Sequence, residues 1–185
     1  RRHMVVALFF GLGSGTTFVL LPTFAEALGV RTLGLFYTAY AAAAMGVRII
    51  GGGLIDTRGR RAVIVPSMFV QAGATAGLAA LGLLGSGTSA PVVPVLFLVG
   101  LLSGGAHGFI YPALGALVID LTPEARRGVV VGVCSAMFLV GQTSGSVVFG
   151  YVTHALGYGL MWSVLALLLL AGAVASLGLR EPRPS

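Results

Sequence analysis

The sequence predicts an all-α membrane protein with six transmembrane helices. Hydrophobic residues make up 57% of the chain and charged residues only 9%, whereas a soluble domain carries about 25% charged residues. So few charges cannot cover a water-facing surface, so the apolar excess requires lipid as its solvent. The charges that are present are grouped into short segments, and long charge-free stretches separate them.

The helix boundaries follow from these charge-free stretches and from clusters of turn residues. Residues 62–119 carry no charge, but one membrane crossing takes only about 20 apolar residues. Turn residues at 85–91 break this stretch, and those at 153–159 break the stretch 128–179 in the same way. The predicted helices, within a single unit 1–185, cover about 4–28, 32–55, 62–84, 92–120, 124–152 and 158–179.

The arginines predict how the helices are oriented. All eleven basic residues of the chain are arginine. If six helices alternate in direction, nine arginines fall on one side of the membrane: residues 1, 2, 58, 60, 61, 126, 127, 180 and 183. Only Arg31 falls on the other side. Because positive charge is retained inside, we expect the arginine-rich side and both termini to be cytoplasmic, in the inner cell membrane of a bacterium.

The most specific stretch, residues 52–61, follows the second helix and reads GGLIDTRGRR. We expect Gly52 to allow close helix packing and Gly59 to allow a tight turn. Asp56 lies at a helix C-terminus, where the helix dipole disfavours an anion. It therefore needs a positive partner, which is either a nearby arginine or the N-terminus of the fifth helix. There residues 122–124, Thr-Pro-Glu, are typical of an N-cap, a first-position proline and a first-turn acid.

This stretch resembles the cytoplasmic-loop signature of the major facilitator superfamily, and residues 120–128 resemble that family's loop between the fourth and fifth helices of a half. Ile55 and Thr57 depart from the signature. The resemblance implies one half of a 12-helix transporter, built from two inverted three-helix repeats, and we interpret the chain as the C-terminal half. The matching residues are Gly52, Leu54, Asp56, Gly59, Arg60 and Arg61.

The resemblance also implies a function. It implies secondary active transport of a small solute by alternating access, proton-coupled, as import or export, with no cofactor and no metal. The first and fourth helices would line the central cavity, the second and fifth would face the other half, and the third and sixth would face lipid. The partners would be the solute, the lipid bilayer and a missing N-terminal six-helix half, or else a second copy of this chain. Gly52, Asp56, Gly59, Arg60 and Arg61, together with Arg48 and Asp120, would form a conformational switch.

Polar side chains at bilayer depth are costly and are therefore candidate functional residues. Ser103, His107 and Tyr111 are spaced four residues apart, so they form one polar stripe on the fourth helix. A histidine there can bind a solute or carry a proton, and the alternative is a buried histidine that bonds to a neighbouring helix. The other candidates for the cavity are Ser14, Thr16, Thr17, Tyr37 and Gln142.

Arg48 lies about two turns inside the cytoplasmic end of the second helix. A buried charge needs a partner. We interpret Arg48 as a structural residue that pairs with Asp120 or Asp56, or that extends to the interface, rather than as a residue that contacts substrate.

Other classes of protein fit the sequence less well. None of the Ser-Gly pairs has the Gly-x-Ser-Gly pattern of rhomboid proteases, and Gly51–Gly53 do not continue into a phosphate-binding loop. The arginines form no basic stripe with aromatic residues, so we expect no nucleic-acid binding. Two alternatives stay open, a homodimeric six-helix carrier and a non-transporting membrane scaffold, and the upstream reading frame distinguishes them from a fused transporter.

Overall fold

The computed structural model describes residues 2–31, 33–85 and 91–180, without the side chains of Ile50 and Asp56. These residues form helices and connecting turns with no strand, which confirms the all-α prediction. A short 3-10 turn, Glu124–Arg126, precedes the last helix. The helices are α1 Arg2–Ala27, α2 Gly34–Arg58, α3 Arg60–Leu84, α4 Val92–Asp120 and α5 Arg127–Ser176.

The helix α5 is too long to cross a membrane as one straight rod. Its 50 residues would extend about 75 Å as a continuous helix, against a hydrocarbon core of about 30 Å. Gly157 interrupts the helix with φ 78° and ψ 169°, a backbone conformation that glycine adopts without steric cost. α5 therefore consists of two helical segments, 127–156 and 158–176, and the interruption falls within the turn predicted at 153–159.

The first segment of α5 runs parallel to α1. Gly11 lies directly against the backbone of Phe138, and Gly15, one turn further on, lies against the backbone of Gln142. Residue numbers therefore rise together along the two helices. At both positions an added Cβ atom would overlap the α5 backbone, so only glycine allows this approach. Small residues have this role in membranes because they let helix backbones come close.

The second segment of α5 runs antiparallel to α1. Gly13 lies against the side chain of Leu169, whereas Phe9, one turn earlier on α1, lies against Gly172. Here residue numbers fall on one helix as they rise on the other. The chain therefore reverses direction within α5, and its second segment returns to the end of the bundle at which α1 begins.

A second parallel pair is formed by α2 and α4. Three glycines of α4, spaced four residues apart, lie against three backbone carbonyl groups of α2 that have the same spacing. The pairs are Gly100 with Phe36, Gly104 with Tyr40 and Gly108 with Ala44. α3 packs behind both pairs, against α4 and α5, and it meets the second segment of α5 where Gly82 lies against Gly159.

Four helical stretches are long and apolar enough to cross a membrane: Arg2–Ala27, Arg60–Leu84, Val92–Asp120 and Glu124–Ser176. This finding supports a helical membrane protein. The helix α2, which carries Arg48, Asp56 and Arg58, is not among the four, so the count of six crossings stays a prediction.

The junction between α4 and α5 differs from the expected capped helix start. Glu124 begins the 3-10 turn, and α5 itself begins at Arg127. The Thr122 hydroxyl donates to the carbonyl oxygen of Val118 at 2.6 Å, so it terminates α4 instead of capping the next helix. The expectation that residues 122–124 form a side-chain cap for helix 5 is therefore wrong.

The glycine contacts predict a large difference between two alanine substitutions on α4. An added Cβ at Gly104 would overlap the Tyr40 carbonyl, whereas one at Gly115 would meet nothing within 4 Å. We expect Gly104→Ala to destabilise the protein by about 1–3 kcal/mol, the usual cost of overpacking, and Gly115→Ala to be neutral. Thermal unfolding of the purified protein in detergent measures the difference, and equal melting temperatures would contradict the packing described.

Candidate functional site

His107 lies within a cluster of aromatic rings between three helices. Its ring centroid is 5.0 Å from that of Phe10 on α1, 5.8 Å from that of Tyr40 on α2 and 6.4 Å from that of Tyr111 on its own helix. The rings of His107 and Tyr111 are nearly parallel, with an interplanar angle of 10°. His107 is half-buried, so its polar ring nitrogens lie in a mainly aromatic environment.

This cluster joins the two parallel helix pairs. Phe138 on the first segment of α5 lies 5.5 Å from Phe10 and 5.6 Å from Tyr111, centroid to centroid. Within each pair the helices approach backbone to backbone through glycine, but between the pairs large rings fill the space. Because aromatic side chains rather than closely packed backbones form this junction, we expect it to be the more deformable contact.

The other candidate hydroxyl groups are buried. Ser103, one turn before His107, is 3% exposed, and Ser14, Thr16 and Thr17 are also buried. The Thr16 hydroxyl donates to the Leu12 carbonyl oxygen at 2.8 Å, whereas those of Ser14 and Thr17 have no hydrogen-bond partner among the described atoms. Burial keeps all four groups away from the open surface of this half.

Tyr37 and Gln142 lie further from His107. Tyr37 is 37% exposed, and its ring contacts Phe36 at 5.3 Å and Phe18 at 6.4 Å between centroids. The backbone of Gln142 forms part of the α1–α5 contact at Gly15. The structure therefore brings together His107, Tyr111 and Tyr40, and it places Tyr37 and Gln142 at the margins.

Two cavities meet at Tyr111, whose side chain is 49% exposed. One, of about 100 Å³, lies between α1, α4 and α5 and is mostly apolar, with Cys134, Ser135 and Phe138 on its α5 wall. The other, of about 730 Å³, is a groove between α2 and α4 that is lined by Arg48 and Tyr111 among others. No residue of α3 lines either cavity, so both open on the side of the bundle away from α3.

The arginine-rich end of the bundle is held by hydrogen bonds to helix ends. Arg60 donates from Nε to the Asp120 carboxylate at 3.3 Å and from Nη1 to the Ile55 carbonyl at 3.0 Å, which ties the ends of α2 and α4 together. Asp120, one expected partner of Arg48, is therefore engaged by Arg60 instead. That Asp56 has an arginine or the N-terminus of the fifth helix as its partner stays a prediction, because the Asp56 side chain lies outside the described residues.

The motif glycines take two different roles. Gly59 has φ 89°, so the tight turn between α2 and α3 depends on glycine, as expected. An added Cβ at Gly52 would meet nothing within 4 Å, whereas one at Gly51 would overlap the Phe109 ring. Within this chain it is Gly51, not the expected Gly52, that allows close helix packing, and Gly52 lines the open groove beside Arg48.

Comparison with known proteins agrees with this arrangement. The family model of the Major Facilitator Superfamily matches residues 4–185. This chain belongs to the major facilitator superfamily. Relatives named as uncharacterized MFS-type transporters, from Burkholderia mallei (strain SAVP1) and Burkholderia pseudomallei (strain K96243), are each 30% identical over 166 residues, which is 90% of this chain. The same alignments cover 38% of each relative, so the chain spans well under half of their length.

The sequence of this superfamily member did not reveal every residue at the helix junction. Phe10 and Phe138 are ordinary apolar residues in apolar helices, and nothing in their spacing distinguishes them from core residues. Spacing alone would extend the glycine stripe from Gly104 and Gly108 to Pro112, which is also four residues further on. In the structure the packed face extends to Gly100 instead, and Pro112 lines the groove.

The Arg60–Asp120 pair predicts a small stability effect for a charge-removing substitution. The two side chains are 23% and 38% exposed, and exposed ion pairs contribute about 0.2–1 kcal/mol. We expect Asp120→Asn to lower the free energy of unfolding by no more than that, and the charge swap Arg60→Asp with Asp120→Arg to recover part of it. Thermal unfolding at low and high salt measures both, and a large loss that salt does not reduce would contradict an exposed ion pair.

Proposed function

We propose that this chain is the C-terminal six-helix half of a secondary active transporter, which moves a small solute across the membrane by alternating access and is coupled to protons. Membership of the major facilitator superfamily supports a transporter rather than an enzyme. The coverage of 38% of the relatives' length supports a missing half. The two cavities that meet at Tyr111 carry the proposal, because Tyr111 of α4 lines both of them and Phe10 of α1 lines one.

Six crossings in two inverted three-helix repeats account for the helix contacts. If the segments of α5 are the fifth and sixth helices, exchanging helices 1 to 3 with helices 4 to 6 converts the α1–α5 parallel pair into the α4–α2 parallel pair. The same exchange maps the contact between Gly82 on the third helix and Gly159 on the sixth onto itself. A two-fold axis in the membrane plane produces this pattern in transporters with inverted repeats.

The arginine contacts support a cytoplasmic location for both termini. Arg2 at the start of α1 donates to the Gly178 carbonyl at 2.7 Å, and Arg61 at the start of α3 donates to the Leu177 carbonyl at 2.6 Å. The beginnings of α1 and α3 and the end of α5 therefore lie at one end of the bundle. Placing that arginine-rich end in the cytoplasm satisfies the positive-inside rule.

His107 is the proposed site of solute or proton handling. It is the one imidazole of α4, and it lies at the deformable junction between the two helix pairs, stacked on the exposed Tyr111 ring. A change of protonation there alters the charge at the junction that must move during alternating access. In this proposal His107 binds the proton, and its ring contacts with Phe10, Tyr40 and Tyr111 transmit the change of charge to both helix pairs.

The proposed function is tested on the full-length protein that contains this chain. A panel of small solutes is first screened for thermal stabilisation of the purified protein, and solutes that stabilise it are then measured for uptake into proteoliposomes with and without a pH gradient. We expect uptake that a proton gradient drives. If the reading frame encodes no second half and the six-helix chain transports as a dimer, the homodimeric carrier replaces this proposal, and absence of any transport favours the scaffold.

Substitution of His107 tests the role of that residue. Glutamine keeps a hydrogen-bonding side chain but does not titrate, so we expect His107→Gln to flatten the pH dependence of transport while expression is retained. His154→Gln, the same change at an exposed histidine in the first segment of α5, is the matched control. An unchanged rate and pH profile in His107→Gln would reduce the residue to a packing role.

A further inference from the structure

Arg48 carries a permanent positive charge deep within α2. It lies 14 residues after Gly34 and 10 before Arg58, the two ends of that helix, or about 21 and 15 Å along the axis. A guanidinium group is not deprotonated in proteins, so Arg48 cannot become neutral at this depth. Intramembrane charges of this kind are paired or face a water-filled cavity.

The carboxylates of this chain that the structure describes do not neutralise Arg48. Asp120 accepts a hydrogen bond from Arg60 at the cytoplasmic end. The side chain of Asp56, eight residues further along the same helix, lies outside the described residues. The other acidic residues of the described chain are Glu26, in the last turn of α1, and Glu124, beyond the end of α4.

The groove beside Arg48 has the size and lining for a ligand group. Its volume is about 730 Å³, and the side chain of Arg48 is exposed to it. Small residues on the facing helix, Gly108 and Gly115, leave room, and Tyr111 adds a phenol with an exposed ring. The groove opens on the side of the bundle away from α3, as does the cavity between α1, α4 and α5.

The groups around Arg48 select for an anion. Tyr111 lines the same groove as Arg48, and its ring centroid lies 6.4 Å from that of His107. A phenol and an imidazole are not anions near neutral pH. Among the side chains that the structure describes, the site therefore combines the positive charge of Arg48 with polar groups that donate hydrogen bonds. The planar fork of a guanidinium group matches the oxygens of a carboxylate or phosphate, which it binds with two parallel hydrogen bonds.

We propose that Arg48 and Tyr111 form an anion-binding subsite for the transported solute, and that the solute carries a carboxylate or phosphate group. Arg48 forms the ion pair and Tyr111 donates a hydrogen bond from its hydroxyl group. This inference rests on the proposed transport function and assigns the charge of the substrate. It differs from the structural role that the sequence suggested for Arg48, one of whose expected partners, Asp120, is held by Arg60.

Binding to the purified full-length protein in detergent tests the subsite without requiring transport. Benzoate and benzamide have the same shape and differ in charge, and inorganic phosphate and succinate extend the set of anions. We expect at least one anion to raise the melting temperature while benzamide does not. Arg48→Gln should weaken that anion's affinity roughly 10- to 100-fold, the usual value of a hydrogen bond to a charged group, and Arg48→Lys should restore part of it.

The matched control is Arg58→Gln, which removes the same charge at the exposed end of α2 and should leave anion binding unchanged.

The inference is overturned if no anion stabilises the parent protein, if benzamide stabilises it as well as benzoate, or if Arg48→Gln retains the increase in melting temperature that the anion causes. It is also overturned if Arg48→Gln lowers the melting temperature without ligand while anions have no effect, because Arg48 would then pair with a carboxylate of the other half. Transport of a neutral or cationic solute that Arg48→Gln leaves intact would overturn the subsite alone, whereas absence of all transport would contradict the proposed function.

Discussion

Close backbone contact through glycine is the interaction on which this fold depends. Lipid removes the hydrophobic driving force between helices, so tight packing and small residues must hold them together. α1 and the first segment of α5 meet at Gly11 and Gly15, and α2 and α4 meet at three α4 glycines. Because the two backbones of each pair are in direct contact at the glycines, we expect each pair to move as one rigid unit.

The candidate site lies where this rigid packing gives way to aromatic packing. His107, Phe10, Tyr111 and Phe138 fill the space between the two pairs with rings at centroid distances of 5.0 to 6.4 Å. A transporter needs elements that stay rigid and a contact that changes between them. In the proposed alternating access, the junction that holds His107 and Tyr111 is the contact that changes, and the glycine-packed pairs are the elements that stay rigid.

Local patterns in the sequence predicted the features that depend on single segments. The apolar composition predicted helices in lipid, the glycines near 153–159 predicted the reversal that occurs at Gly157, and residues 52–61 indicated the superfamily. The junction around His107 could not be predicted, because it depends on how α1, α2 and α4 are rotated about their axes. That rotation is set by glycine contacts between helices distant in sequence. For the same reason the sequence did not show that Gly51, and not Gly52, packs closely within this chain.

Labelling of a cysteine at position 111 tests most directly whether the side of the bundle away from α3 lines a water-filled pathway. The measurement uses the full-length protein with Cys134→Ser as background and compares Tyr111→Cys with Phe69→Cys, a partly exposed position on α3. We predict that a membrane-impermeant maleimide labels position 111 in permeabilised cells and leaves position 69 unlabelled, as expected if α3 faces lipid. Equal labelling of the two positions, or labelling at 69 alone, would contradict a solute pathway on the α1 and α4 side.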